Sequence, residues 1–116
     1  MIVKPIPQAD KYELVEPLVF YINKKRHVIP VGFRFECSVP VIFYRVLKTP
    51  FDPQVMQAAC VHDYLYAHHL CTKKQADKKF KALLIYNGVD KNTAETMYQG
   101  VKLFGHHAYN KGQQNA

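Results

Sequence analysis

The chain is poor in the features that cross-link a fold or carry it through a membrane. It has three cysteines, Cys37, Cys60 and Cys71. An odd count argues against a secreted disulfide scaffold, and the spacings fit no zinc pattern. Three free thiols in a reducing compartment are expected instead. No stretch approaches the ~18 apolar residues that span a bilayer. Residues 1–10 carry Pro5 and Pro7 and no apolar run of leader length, so a soluble protein without a signal peptide is expected. Acidic side chains are also short: nine, against sixteen lysines and arginines, for a net charge of +7. That balance suits an anionic partner without choosing one. Glycine is scarce, five in all, and only Gly32 precedes residue 60. There is no internal repeat and no low-complexity segment.

What is present reads as one globular domain. A chain of 116 residues has no room for two, and 48% hydrophobic with 22% charged residues is unlike a disordered chain. The character changes near residue 50. Before it, β-branched and aromatic residues dominate, and the polar break Asn23-Lys24-Lys25-Arg26 separates two apolar runs as a hairpin loop does. Prolines at 17, 30 and 40 point to short or edge strands. After it, three helices are expected. Asp52 caps the first, with Pro53 at its first position, and it runs to about His68. Thr72 and Gln75 form a capping box for the second, which ends at Gly88; Asn92 and Glu95 repeat the device for the third, which ends at Gly105. The fold class is therefore α+β: a small N-terminal antiparallel sheet (about 10–46) and a three-helix unit (about 52–105) within one domain of 1–108. The stretch 109–116 is a polar tail, and fraying is expected from His106 on.

The most informative stretch is Ala58-Ala59-Cys60-Val61-His62-Asp63-Tyr64-Leu65-Tyr66 with Gln75-Ala76-Asp77-Lys78-Lys79-Phe80. Val55, Ala59, His62 and Tyr66 recur at helical spacing, so His62 and Tyr66 share an inward face and Asp63 lies at its rim. Asp77 neighbours the Ala76–Phe80 core stripe of the next helix. A short turn at Leu70–Cys71 makes the two helices antiparallel and brings Asp77 within reach of His62. An imidazole held by a carboxylate keeps one tautomer, and its other nitrogen can take a proton from water. Asp63 is a hard oxygen ligand of the kind that suits calcium or magnesium. Tyr66 can hydrogen-bond either carboxylate. The same four groups also suit a satisfied buried network without chemistry.

At these residues the chain resembles domain-of-unknown-function family 1353, known mainly from tailed phages and prophages. Its pattern is a strand segment rich in proline and glycine, an AA-x-x-HDYLY helix, an AD-x-x-F helix and an MY-x-x-V-x-x-FG helix. Here these are Val31-Gly32-Phe33 with Ser38-Val39-Pro40, then Ala58–Tyr66, then Ala76–Phe80, then Met97-Tyr98 through Val101 to Phe104-Gly105. The match covers roughly 28–108 and implies a phage origin, hence a place in the virion or the host cytoplasm, without a transferable activity. Where the family has TD-x-A-S-V-P, this chain has Phe35-Glu36-Cys37-Ser38-Val39-Pro40, one residue shorter, with Glu36 near the aspartate position.

Over about 53–80 the chain is more distantly similar to the phospholipase A₂ family, especially its small viral form. That likeness implies His62 as water-activating base, Asp77 orienting it and Tyr66 bracing the hydrogen bonds. It also implies Asp63 as a calcium ligand, and Glu36 is a further candidate acid for the metal. The glycine-rich calcium loop of those enzymes has no counterpart, since only Gly32 lies upstream. Two readings follow: a small metal-assisted ester hydrolase, and a non-catalytic virion, tail or assembly component. Lys24, Lys25 and Arg26, with Lys73, Lys74, Lys78, Lys79 and Lys81, read as a basic face for anionic lipid or as a solvated surface. No nucleic-acid fold motif accompanies them, so nucleic acid is not the expected partner. The pairs His68-His69 and His106-His107 read as surface residues.

Overall fold

A computed structural model describes residues 3–6, 11–36 and 53–115. It is α+β, as the sequence implies, with an antiparallel strand region followed by helices. The strands form two small units. β1 (Val3–Ile6), β2 (Lys11–Leu14) and β5 (Arg34–Glu36) make a three-stranded antiparallel sheet with β2 in the middle. β3 (Leu18–Ile22) and β4 (Lys25–Ile29) form a separate hairpin. β1 begins earlier than the sequence places the sheet. Its Pro5 pairs with Tyr12, which an edge strand allows because proline has no amide proton to give to a ladder. Glu13 lies opposite both Lys4 and Arg34, and its carboxylate is 3.0 Å from each cationic group.

The hairpin turn is tighter than the four-residue loop expected. Only Asn23 and Lys24 lie in it, with φ of 51° and 67°, while Lys25 and Arg26 already belong to β4. Two consecutive left-handed residues match the twist of the flanking strands. Asn tolerates that backbone, whereas Lys is strained there. Lys24→Gly should therefore raise stability by about 0.5–1 kcal/mol, read from urea unfolding. Leu18, Phe20 and Ile29 face the core from this hairpin, and Val19, Tyr21 and Val28 face outward.

α1 (Pro53–His68) is the axis of the molecule. One side, Met56, Cys60, Val61 and Leu65, packs with Leu14, Leu18, Phe20, Ile29 and Phe35. The other, Val55 and Ala58, packs with Phe80, Leu84, Ala94 and Met97 of the following helices. The expected cap Asp52 falls outside the described residues. α2 (Lys73–Tyr86) starts on the expected capping box: the Gln75 amide donates to Thr72 Oγ1 at 3.2 Å, and the Thr72 amide to Gln75 Oε1 at 3.0 Å. It ends at Asn87, followed by Gly88 with φ of 99°, a backbone that favours glycine.

α3 (Lys91–Phe104) is capped by Asp90, not by Asn92. Asp90 Oδ2 accepts from the Thr93 amide at 3.1 Å, while Glu95 pairs with Lys81 instead of closing a box. Both Asp90 and Asn92 are good capping residues, and the turn at Gly88 determines which one meets the helix start. Gly105 ends α3 as expected, but for a different reason. Its φ is −85°, so no left-handed backbone requires glycine. A Cβ there would lie 2.5 Å from the Val101 carbonyl oxygen and 2.7 Å from the Tyr66 hydroxyl. Gly105→Ala should cost about 1–3 kcal/mol by overpacking, read from chemical denaturation.

The expected frayed tail is instead a fourth helix, α4 (His106–Asn115), lying against α1. Tyr109 anchors it. Its hydroxyl donates to the Cys71 carbonyl at 3.1 Å, and its ring stands edge-on to Tyr66 with centroids 5.2 Å apart. No helix among the described residues is long and apolar enough to cross a membrane.

Candidate functional site

α1 and α2 run side by side, joined by the turn that His69 opens with φ of 48°. The turn returns α2 along α1, so the second turn of α2 lies beside the third turn of α1. His62 and Asp77 meet there, and both are buried. His62 Nε2 is 2.8 Å from Asp77 Oδ1. The Tyr66 hydroxyl donates to the same oxygen. The other oxygen, Oδ2, accepts from Lys73 Nζ at 2.7 Å. The His62 ring is held between Tyr66 and Phe80, with centroids 4.1 and 4.9 Å away. Three of the groups singled out in the sequence, His62, Tyr66 and Asp77, thus form one network.

The protonation states follow from who donates. Burial alone pushes the Asp77 carboxyl upward, but hydrogen bonds from His62, Lys73 and Tyr66 outweigh it and hold Asp77 below the usual carboxylate value. It is ionised at neutral pH and can only accept. Nε2 of His62 must therefore carry the proton of that bond. Burial pushes His62 below its ordinary value, Asp77 pulls back, and Lys73 reinforces the depression. The imidazole is then neutral at pH 7, with its lone pair on Nδ1. Burial, then the bond to Asp77, push the Tyr66 phenol up, so it stays a donor.

A pH dependence of stability follows. Below about 6.5, the ordinary value of the imidazole, unfolded chains bind a proton at residue 62 that folded chains resist. The unfolded state then holds more protons, so stability falls as pH falls. The His62 contribution is complete above that value and is lost on acidification. Asp77, also depressed, contributes above about 3.8 and loses its share below. Melting temperature should fall between pH 7.5 and 5.5 in the wild type, with a shallower slope in His62→Gln.

Asp63 is not among the three groups that bond Asp77. It is half-buried on α1, and its charge adds to the upward push on Tyr66 and on Cys60, whose thiol burial raises to about 12. Glu36 ends β5 opposite Lys11, and its side chain lies outside the described residues. Among the described residues no three His, Cys, Asp or Glu side chains gather in a metal-holding group. Cys60 and Cys71 are free thiols. Cys37 lies outside the described residues.

The structure also recruits residues that the sequence places elsewhere. Lys73 reads in sequence as part of the basic face of α2, yet its ammonium is turned inward. It donates to Asp77 and to the carbonyls of Val101 and Lys102 at 3.0 and 3.2 Å. Its i,i+4 spacing to Asp77 is the signal that could have found it. Lys81 is likewise occupied, with Glu95 and over the Tyr98 ring. Lys74 and Lys78 remain on the open face. His69 is not a plain surface residue: it stacks on Tyr109 at 3.9 Å and donates from Nε2 to the Tyr109 carbonyl at 2.6 Å. His68 is exposed and packs on Tyr64, and His106 and His107 are exposed.

Comparison with known proteins gives a family and one relative. Over 84 residues the chain is 27% identical to "Uncharacterized protein y4jT" of Sinorhizobium fredii (strain NBRC 101917 / NGR234). That alignment covers 72% of this chain and 25% of the relative, so the chain spans about a quarter of that protein's length. No solved structure matches. The model of the family described as "Protein of unknown function (DUF1353)" matches residues 12–101, which run from β2 through most of α3 and include the site. A match over well above half of its residues places this chain in the DUF1353 family.

Proposed function

We propose that this chain is a small hydrolase in which His62 removes a proton from water attacking an ester or phosphoester. The observation that carries the reading is the 2.8 Å bond from His62 Nε2 to an ionised, buried Asp77. It leaves Nδ1 as the basic nitrogen. The water oxygen adds to the carbonyl carbon or phosphorus, and its proton moves to Nδ1. The bond to the leaving alcohol then breaks, and that alcohol takes the proton from Nδ1. Asp77 orients the ring, Tyr66 braces Asp77, and no external reagent is needed.

The metal-assisted form adds calcium or another divalent cation at Asp63 and Glu36. Calcium takes about six to eight oxygen ligands, and Asp63 alone among the described residues does not supply them. The proton transfer itself runs through no cation. A calcium titration followed by melting tests the addition: a site at a hundred times its Kd stabilises by about 2.7 kcal/mol. An unmoved melting temperature removes the metal and leaves the proton transfer standing.

The setting we propose is a tailed phage or prophage, with the chain in the virion or host cytoplasm, near other virion proteins or an anionic lipid surface. The motif run at 58–66 and 76–80 and the charge of +7 support it. Mass spectrometry of purified particles and sedimentation with anionic vesicles test the two partners separately.

A second reading has its own observation. Among the described residues no buried side-chain nitrogen or oxygen lacks a partner, which suits a purely structural network in a virion or assembly component. The deciding experiment is turnover of acyl esters, phosphodiesters and phospholipid vesicles by wild type and by His62→Gln. A folded variant that has lost a wild-type activity supports the hydrolase. A wild type inert on all three classes, with a variant that fails to fold or assemble, supports the structural reading.

A further inference from the structure

We propose that Lys73 is a positioning residue of this site, locking Asp77 between the imidazole of His62 and the carboxyl end of α3. The inference rests on the hydrolase reading only for its consequence in catalysis.

Lys73 is the first residue of α2, one turn before Asp77, and its side chain is only 14% exposed. An ammonium has three protons to donate. Here three acceptors surround it: Asp77 Oδ2, the Val101 carbonyl and the Lys102 carbonyl. The two carbonyls belong to the last turn of α3, the end that carries partial negative charge, and the Val101 oxygen also accepts from the Gly105 amide at 2.9 Å. Lys73 thus joins the start of α2 to the end of α3 through one cation. Asp77 is left with little rotational freedom. Oδ2 is held by Lys73, so Oδ1 faces His62 and Tyr66. Gly105 completes the arrangement, since its missing Cβ would lie 3.4 Å from Lys73 Cε and 2.7 Å from the Tyr66 hydroxyl.

The test is the tautomer of His62 by long-range ¹H–¹⁵N NMR in the full chain at one alkaline pH, in wild type, Lys73→Gln and Lys73→Arg. Wild type should show hydrogen on Nε2 alone, with slowed exchange of that proton; Lys73→Gln should lose the single tautomer and the slowed exchange, and Lys73→Arg should restore both. Where an ester substrate is turned over, kcat should fall with the lost tautomer while KM holds. A single Nε2–H tautomer with unchanged exchange in folded Lys73→Gln, with only a lower Tm, overturns the proposal. If Lys73→Gln does not fold, the wild-type Nζ protons decide: slowed exchange and contacts to Asp77 support the lock, and exchange as fast as at exposed lysines overturns it. The NMR arm needs no substrate, so an inert wild type removes the hydrolase reading and leaves this one to its own result.

Discussion

Asp77→Ala should lower stability by about 3–5 kcal/mol in urea unfolding at pH 7. The side chain is 2% exposed and takes hydrogen bonds from three donors on two helices. Removing it leaves the mostly buried ammonium with two carbonyls and no counter-charge, and strands an imidazole N–H and a phenol O–H. The loss is therefore the desolvation of three polar groups, and the missing attraction is the smaller part. Asp77→Asn should cost less, because an amide oxygen still accepts, although the charge that holds Lys73 is gone. A paired change, Lys73→Met with Asp77→Leu, should recover part of the loss by replacing the ion pair with apolar volume. A cost under about 1 kcal/mol for Asp77→Ala would mean that water reaches these groups and that the network is not a locked unit.

The largest effect on function should come from His62→Gln. If the chain hydrolyses an ester, kcat should fall by ~10²–10⁴-fold, the usual contribution of a positioned base. Glutamine can still donate from its amide to Asp77, so the fold should survive with a loss of about 1 kcal/mol from reduced contact with Tyr66 and Phe80. KM should change little, because the base acts on the attacking water and not on binding. A variant as fast as wild type on the same substrate would assign the proton transfer elsewhere.

The meeting of His62 and Asp77 is legible in the sequence because each partner has a helical address. Spacing puts His62 and Tyr66 on the inward face of α1, and the Ala76–Phe80 stripe puts Asp77 at the edge of the facing helix. The capping box at Thr72 locates the start of α2, which sets the turn and hence the pairing. Lys73 is not legible in the same way. A lysine among lysines reads as surface, and what draws this one inward is the end of α3, about thirty residues further on. Gly105 reads as a stop signal, whereas its role is space shared by Val101, Tyr66 and Lys73. α4 has a polar sequence with almost no apolar stripe, and it is placed by one aromatic, Tyr109, against Tyr66 and His69. The split of the strands into a sheet and a separate hairpin is also hidden from the sequence. Period-two alternation tells which face is buried but not which strand is the neighbour.

The proton on His62 is the most direct test. Long-range ¹H–¹⁵N correlation of the wild-type imidazole at pH 7 should show a neutral ring with hydrogen on Nε2 and a bare Nδ1, and the ring should stay neutral below about pH 6.5, the ordinary imidazole value. A ring protonated on Nδ1 alone, or one that titrates as a freely exposed histidine does, would contradict this arrangement of the site.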